Sequence, residues 1–524
     1  MDTRTEQDAA IVETACGAVR GQVRDGVHSF RGIPYGASTA GERRFLPPEP
    51  PQAWTGIRDV AEFGPRAPQP KPVIKPANAW IRDDRPTSED CLVLNIYTPR
   101  VNGDGRRPVM VYLHGGGYNR GTASAPGLDG TNLAKAGDVV VVTLNHRLGA
   151  FGFSYLAGLE DGWLAESANA GMRDIVAALR WVRDNIAAFG GDAGNVTIFG
   201  QSGGGSKVAV AMTMPEAKGL FHKAIIQSAS SHLRLATMEN AARASRHMLA
   251  DLGLTGADLK ALQDVSADRL LEACAAAVAA CNGNDSFRPV VDGQSVPNHP
   301  FDPDAPDLSA DIPLMIGSCE TEKSFYDITA DPKDLPLSDA RLRDEIARFV
   351  GVDADRAQAL IEGYRTTHSG DSGRDIYNVI TSDHMYRRNC IEAAELKSAR
   401  GRAPAYLYEF TWRTPVLGGM LKTPHTLCIP FVFGNTKIAR EFTGTGPAQD
   451  ALTRAVQGAW IAFARTGDPN HAGLPDWTPY NADARPTMIF DNECRLALDP
   501  KREDRLRIAA CPRFISDRQW PMAA

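Results

Sequence analysis

One short motif limits the fold of this chain more than any other feature. Gly200-Gln201-Ser202-Gly203-Gly204 follows directly on the apolar run at residues 196–199. A G-x-S-x-G stretch between a strand and a helix makes a tight turn with no room for side chains beside the serine. It holds the serine in a strained conformation, with the hydroxyl exposed at the end of a sheet. The pattern predicts a following helix from about Ser206, its N-terminal dipole aimed at that hydroxyl. Taken alone, the motif also fits a glycine-rich turn with an incidental serine.

The surrounding pattern supplies the strand and the helix. Residues 91–97 alternate with period two, and residues 108–113 and 139–144 are short apolar runs of the kind that form buried parallel strands. From about 169 to 189, Met172, Ile175, Val176, Leu179, Val182 and Ile186 recur at three- and four-residue intervals, which gives one apolar helix face. Gly190-Gly191-Asp192 stops that helix before the next strand. Strand, helix, strand in this order is a βαβ unit and predicts a largely parallel sheet. Further strands are expected at 223–227, 313–316 and 405–410, and helices at 238–252, 342–349 and 451–463. The proline-rich stretches at 47–51 and 65–76 read as irregular surface connections. No internal repeat is present. One α/β domain spanning residues 1–524, with long inserts, is the simplest account.

A second motif sharpens the first. His114-Gly115-Gly116-Gly117-Tyr118 follows the run at 109–113. Acyl transfer needs backbone N–H groups aimed at a developing oxyanion, and glycines let the chain turn and the substrate approach. A glycine triplet alone also fits a flexible loop or a phosphate cradle. Its place after an early strand, ahead of the serine elbow, favours the oxyanion reading.

Composition removes several alternatives. Lys plus Arg number 57 against 63 Asp plus Glu, a net charge of −6. With no basic stripe, nucleic acid is not an expected partner. No apolar run approaches the roughly 20 residues that cross a bilayer, so no membrane span is expected. Residues 1–10 lack an apolar segment behind a basic start, so no secretory signal is expected in the chain as given. The nine cysteines are odd in number and contain no Cys-x-x-Cys pair. Reduced thiols in a cytoplasmic protein fit this usage best. Neither a His-Glu-x-x-His motif nor a Cys/His cluster suggests a metal, and Gly205-Ser206-Lys207 lacks the frame of a nucleotide loop. No cofactor is expected.

At this point the chain resembles a family. It is similar to the type-B carboxylesterases, the α/β-hydrolase group that includes the cholinesterases, from about residue 17 to residue 520. The likeness rests on Phe30-Arg31-Gly32-Ile33-Pro34-Tyr35, Arg44-Phe45-Leu46-Pro47-Pro48 and Ser88-Glu89-Asp90-Cys91-Leu92-Val93-Leu94-Asn95. It continues through Asn145-His146-Arg147-Leu148-Gly149, Trp181-Val182-Arg183-Asp184-Asn185-Ile186 and Phe189-Gly190-Gly191-Asp192. The resemblance implies an α/β-hydrolase fold: a central, mostly parallel sheet flanked by helices, with helical inserts forming a gorge and lid. It also implies a bacterial-type serine carboxylesterase acting on small to medium uncharged esters through an acyl-enzyme. Amide, carbamate or thioester cleavage would use the same residues. A non-catalytic interaction protein would be expected to lose the serine or histidine.

Eight histidines follow Ser202, so spacing alone does not choose a base. The resemblance places the acid at Glu322, with Glu320 its near rival, and the base at His425. It assigns the oxyanion-hole N–H groups to Gly116, Gly117 and Gly203. His384 is expected to pack in a helix, and His146 to be structural near a strand end.

Several positions depart from the family pattern, and some bear on substrate and compartment. Gln201 stands where cholinesterases carry Glu, which removes a negative charge beside the nucleophile and weakens the case for a cationic substrate. Gly203 replaces the commoner Ala. Cys91 has Ala67 where secreted relatives have its disulfide partner, and a bridge between Cys274 and Cys281 is open but not favoured. Cys281-Asn282-Gly283-Asn284-Asp285, just before the segment at 287–293 that resembles the acyl-pocket closure, lacks bulky aromatics and suggests a roomier acyl site. Trp80 lies one position from the family's cation-binding tryptophan, and lid or surface packing is the expected role.

Overall fold

Seven parallel strands form the middle of the sheet, as the βαβ pattern requires, and the flanking pairs are antiparallel. The computed structural model describes residues 10–101, 106–157, 159, 164, 166–281 and 287–514. A small sheet joins β1 (Ile11–Thr14), β2 (Gly17–Arg20) and β5 (Ile57–Asp59). The main sheet contains β3 (Gln22–Arg24), β4 (Val27–Pro34), β6 (Val93–Thr98), β7 (Arg107–Leu113), β8 (Val140–Leu144), β9 (Gly191–Gln201) and β10 (Lys223–Gln227). It is completed by β11 (Leu314–Cys319), β12 (Ala405–Phe410), β13 (Pro486–Phe490) and β14 (Arg495–Leu498). Among the described residues its order is β14-β13-β12-β11-β10-β9-β7-β8-β6-β4-β3. The run from β8 through β13 is parallel throughout.

Both faces of this sheet are covered, which is why its strands read as continuous apolar runs. In β7, Val109, Val111 and Leu113 enter one core while Met110 and Tyr112 enter the other. The helix Ala170–Asn185 seals the first core with Met172, Ile175, Val176, Leu179 and Val182. The helix Pro447–Thr466 seals the second with Leu452, Val456, Trp460 and Phe463. Helices Asp339–Val350, Ala354–Thr367 and Gly373–Ser382, inserted between β11 and β12, build a separate cluster that Ile508 and Cys511 join. This is the expected α/β-hydrolase layering with a helical insert.

Three local expectations needed correction. The predicted helix at 169–189 ends at Asn185 and tightens into a 3-10 turn, Ile186–Phe189, before Gly190 at φ +79°. The helix after Ser202 begins at Gly203 rather than near Ser206, because close packing overrides the poor helix propensity of three consecutive glycines. The second proline-rich stretch is not all surface: residues 66–69 are buried. They are tied down by Asn145 Nδ2, which donates to Pro65 O, and by the Gln69 amide, which brackets Gly121.

Candidate active site

The turn that carries Ser202 is set by backbone contact. Ser202 sits at φ +58°, ψ −127°, a region that non-glycine residues rarely enter, between β9 and the helix Gly203–Thr213. Its N–H donates to Gln227 O at 2.8 Å, and its carbonyl accepts from Ser206 N at 3.0 Å. A Cβ at Gly204 would lie 1.9 Å from Leu113 O, and one at Gly200 would lie 2.5 Å from the Gly204 carbonyl carbon. The strand, the turn and the helix therefore interlock only with glycine at both positions.

The glycine loop packs against this elbow. Gly116 and Gly117 have φ of +95° and +61°. A Cβ at Gly203 would lie 2.3 Å from Gly117 O. Several bonds brace the loop from outside: Gln69 exchanges two 2.8 Å hydrogen bonds with Gly121, and Gly149 N donates to Tyr118 O at 2.8 Å. Lys207, fully buried, donates from Nζ to His114 O at 2.9 Å. The His114 and His146 rings stack at 4.9 Å, 11° apart. Burial, followed by the Lys207 charge, pushes His114 down to about 3. His146 is lowered too, by burial and then by the Lys207 charge.

Glu322 and His425 come from distant loops. β11 leads into a 3-10 turn, Glu322–Ile328, and His425 precedes the helix Cys428–Phe433. Thr321 N donates to Thr423 O at 3.1 Å and Thr423 N to Thr321 Oγ1 at 2.8 Å, which ties the loops together. His425 Nδ1 lies 2.5 Å from Glu322 Oε2, while Glu322 Oε1 accepts from Cys319 N at 2.7 Å. The Nδ1–H donates to the carboxylate, so Nε2 is left as the acceptor. Both side chains are buried. Tyr386 and Phe325 rings lie 5.1 and 6.2 Å from the imidazole.

Gln201 joins the two halves. Its Nε2 lies 3.1 Å from His425 Nε2 and 3.3 Å from Nδ1. The neighbouring Ser202 hydroxyl forms no hydrogen bond to the imidazole among the described residues. The structure thus brings His425 to Glu322 and to the elbow, with the glutamine amide nitrogen nearly equidistant from the two ring nitrogens and so over the face of the imidazole.

The rival residues lie elsewhere. Glu320 is ion-paired with Lys501 at 2.7 Å. His384 is buried and packs against Phe349 and Phe514. His368 meets Asp504 at 3.2 Å, so a histidine–carboxylate pair is not by itself diagnostic. Trp80 is buried and stacks on Phe442 at 5.4 Å, the packing role expected for it. None of the nine cysteines forms a disulfide, including Cys274 with Cys281, and burial pushes the Cys91 thiol up. Asn282 to Asp285 of the acyl-site expectation lie outside the described residues. Sequence reasoning missed Gln69 and Lys207, which brace the glycine loop. Only Lys207 left a signal, as a lysine in an otherwise apolar helix.

Among the described residues, no helix is long and apolar enough to cross a membrane, and no cluster of three metal-ligating side chains occurs.

Comparison with known proteins shows the family. A sequence model of the carboxylesterase family matches residues 8–507. The para-nitrobenzyl esterase of Bacillus subtilis (strain 168) is 35% identical over 504 residues, covering 95% of this chain and 98% of that one. The phenmedipham hydrolase of Pseudarthrobacter oxydans is 33% identical over 517 residues, again 95% and 98% of the two chains. A solved Geobacillus stearothermophilus carboxylesterase superposes with a TM-score of 0.82 at 37% identity, covering 95% of this chain and 99% of that one. The chain belongs to the carboxylesterase family, and it is a serine carboxylic ester hydrolase of the α/β-hydrolase fold.

Proposed function

We propose that Ser202 is the nucleophile, His425 the general base and acid, and Glu322 the residue that orients the imidazole. Ser202 Oγ attacks the ester carbonyl carbon while its proton passes to His425 Nε2. The tetrahedral oxyanion is held by the N–H groups of Gly116, Gly117 and Gly203. Collapse breaks the bond to the alcohol oxygen, which takes the proton from His425. Water then repeats the sequence on the acyl-enzyme, releasing the acid and restoring Ser202. Glu322 stabilises the imidazolium without taking its proton.

The observation that carries this reading is the 2.5 Å Glu322–His425 bond, with the residue beside the strained Ser202 at 3.1 Å from Nε2. The substrates are small to medium uncharged esters, a class that includes the aryl-substituted ester in the name of the Bacillus relative. Residues 1–524 act as one domain, and the enzyme works in the cytoplasm. The test is p-nitrophenyl butyrate turnover by wild type and by Ser202→Ala, both shown folded by circular dichroism. The expected loss is on the order of 10⁶-fold. Equal turnover in the two proteins removes Ser202 from this role.

A further inference from the structure

The His425 imidazole rests against a ring that the proposed reaction does not use. Tyr386 is buried, with its ring centre 5.1 Å from that of His425 and tilted by 44°. The Phe325 and Tyr326 rings stand farther off, at 6.2 and 6.5 Å. The negative face of an aromatic ring attracts a cation within about 6 Å of its centre. Tyr386 is therefore the ring that matters when the imidazole becomes charged.

An uncommon turn brings it there. Asp383–Arg387 form a π-helical turn between the helices Gly373–Ser382 and Arg388–Arg400, a geometry that is rare and gathers at functional sites. The turn is pinned by its own charges. Asp383 Oδ2 accepts from Tyr364 OH at 2.7 Å and pairs with Arg387 at 3.3 Å, and Arg387 reaches Glu409 at 3.7 Å. Just ahead of the turn, Ser382 Oγ accepts from Lys323 N at 3.1 Å, one residue past Glu322. One stretch of chain thus fixes both the turn that bears Glu322 and the ring beside His425. A side chain this deeply buried touches no substrate, so any effect of Tyr386 on the reaction passes through His425.

We propose that Tyr386 is a positioning residue for His425, holding the imidazole against Glu322 and favouring its charged form as the serine proton arrives. The inference rests on the roles proposed for Ser202 and His425. The attraction is small for a neutral imidazole and full for the imidazolium, so it strengthens the base without touching the substrate. Other groups around the imidazole leave this effect readable. Glu322 Oε2 lies 2.5 Å from Nδ1, and the Gln201 amide is neutral. Glu320 is held by Lys501 at 2.7 Å, and Lys323 Nζ lies 4.5 Å over Tyr326 and 5.3 Å over Phe349. Burial pushes the Cys319 and Cys390 thiols and the Tyr386 hydroxyl up, away from the range where an imidazole titrates. Cys428 Sγ accepts from Gln227 Nε2 at 3.2 Å, and the half-exposed Tyr326 is a phenol that titrates far above that range.

The experiment follows p-nitrophenyl butyrate hydrolysis across the acid limb of the pH profile. Tyr386 is replaced in turn by phenylalanine and by its mono-, di- and trifluorinated forms, which keep the shape of the ring and drain its negative face. Tyr386→Phe retains that face and should hold kcat within about twofold of wild type. With each added fluorine the acid limb of kcat/KM should step to lower pH, by about one unit in all, and kcat should fall roughly three- to tenfold. KM should stay near its wild-type value. Tyr386→Leu, with no aromatic face, should lie at the end of the series. A ring that serves only as packing would leave the acid limb of the whole fluorinated series at its wild-type position, and that result overturns the inference. A loss in Tyr386→Phe as large as in Tyr386→Leu overturns it too, by assigning the effect to the hydroxyl. Ser202→Ala keeps the two readings apart. If it is inactive and the fluorinated series is flat, this inference alone falls; if it matches wild type, both fall.

Discussion

The two halves of the site are held together by different physics. The elbow and glycine loop are backbone structures, in which Gly200, Gly204 and Gly203 approach neighbouring main chain more closely than any Cβ allows. The Glu322–His425 half is a side-chain structure, built by residues 103 apart in sequence that meet only in the fold. Backbone contact demands glycine at fixed places and so leaves a motif. Side-chain contact demands only that two loops arrive together, and it leaves no local pattern.

If that contrast is right, substitutions in the backbone half should damage both fold and activity, while those in the side-chain half should spare the fold. Gly204→Ala should be the most damaging. A methyl 1.9 Å from Leu113 O cannot be accommodated by a side-chain rotation. Thermal unfolding should report a loss of about 3 kcal/mol or more, with turnover abolished. Glu322→Gln should lower kcat by about 10⁴-fold with an unchanged circular dichroism spectrum, because an amide no longer fixes the Nδ1–H tautomer.

Gly203→Ala probes the seam between elbow and loop. The built Cβ lies 2.3 Å from Gly117 O, so the loop must move, and loss of one oxyanion donor should lower kcat about 10²- to 10³-fold. KM measured alongside should change much less.

Lys207 sharpens the contrast from beneath. Burial pushes its ammonium down to about 7 from 10.5, so between those values the unfolded chain binds one more proton than the native chain. Its cost to stability is full below pH 7 and is relieved as pH rises toward 10.5. The midpoint of thermal unfolding at pH 9.5 minus that at pH 6.5 should therefore be smaller in Lys207→Met than in wild type. The smallest effect is expected at Gln201. Gln201→Glu sets a carboxylate about 3 Å from the imidazole and should move the acid limb of the kcat/KM profile to higher pH by about one unit.

Legibility followed the same division. The tight turn at Ser202, the glycine-rich loop, the parallel strands and the helix carrying Met172 to Val182 could be read from residues alone, because each rests on periodicity or on glycine. His425 could not be chosen from eight candidates without family likeness, since nothing around it is periodic. Helix propensity misplaced the start of the helix after Ser202, where three glycines form helix only because Leu113 O lies against Gly204. The proline-rich segment looked solvent-exposed because its burial depends on Asn145 and Gln69, each far from it or within it but aimed elsewhere in the fold.

The central claim is that a single strained serine carries the acyl group. A fluorophosphonate that reacts with activated serines, followed by intact-mass measurement and peptide mapping, tests it most directly. The account expects one adduct per chain, located on Ser202, absent from Ser202→Ala and formed far more slowly in Glu322→Gln. An adduct on another residue, with Ser202→Ala labelled at the wild-type rate, would contradict it.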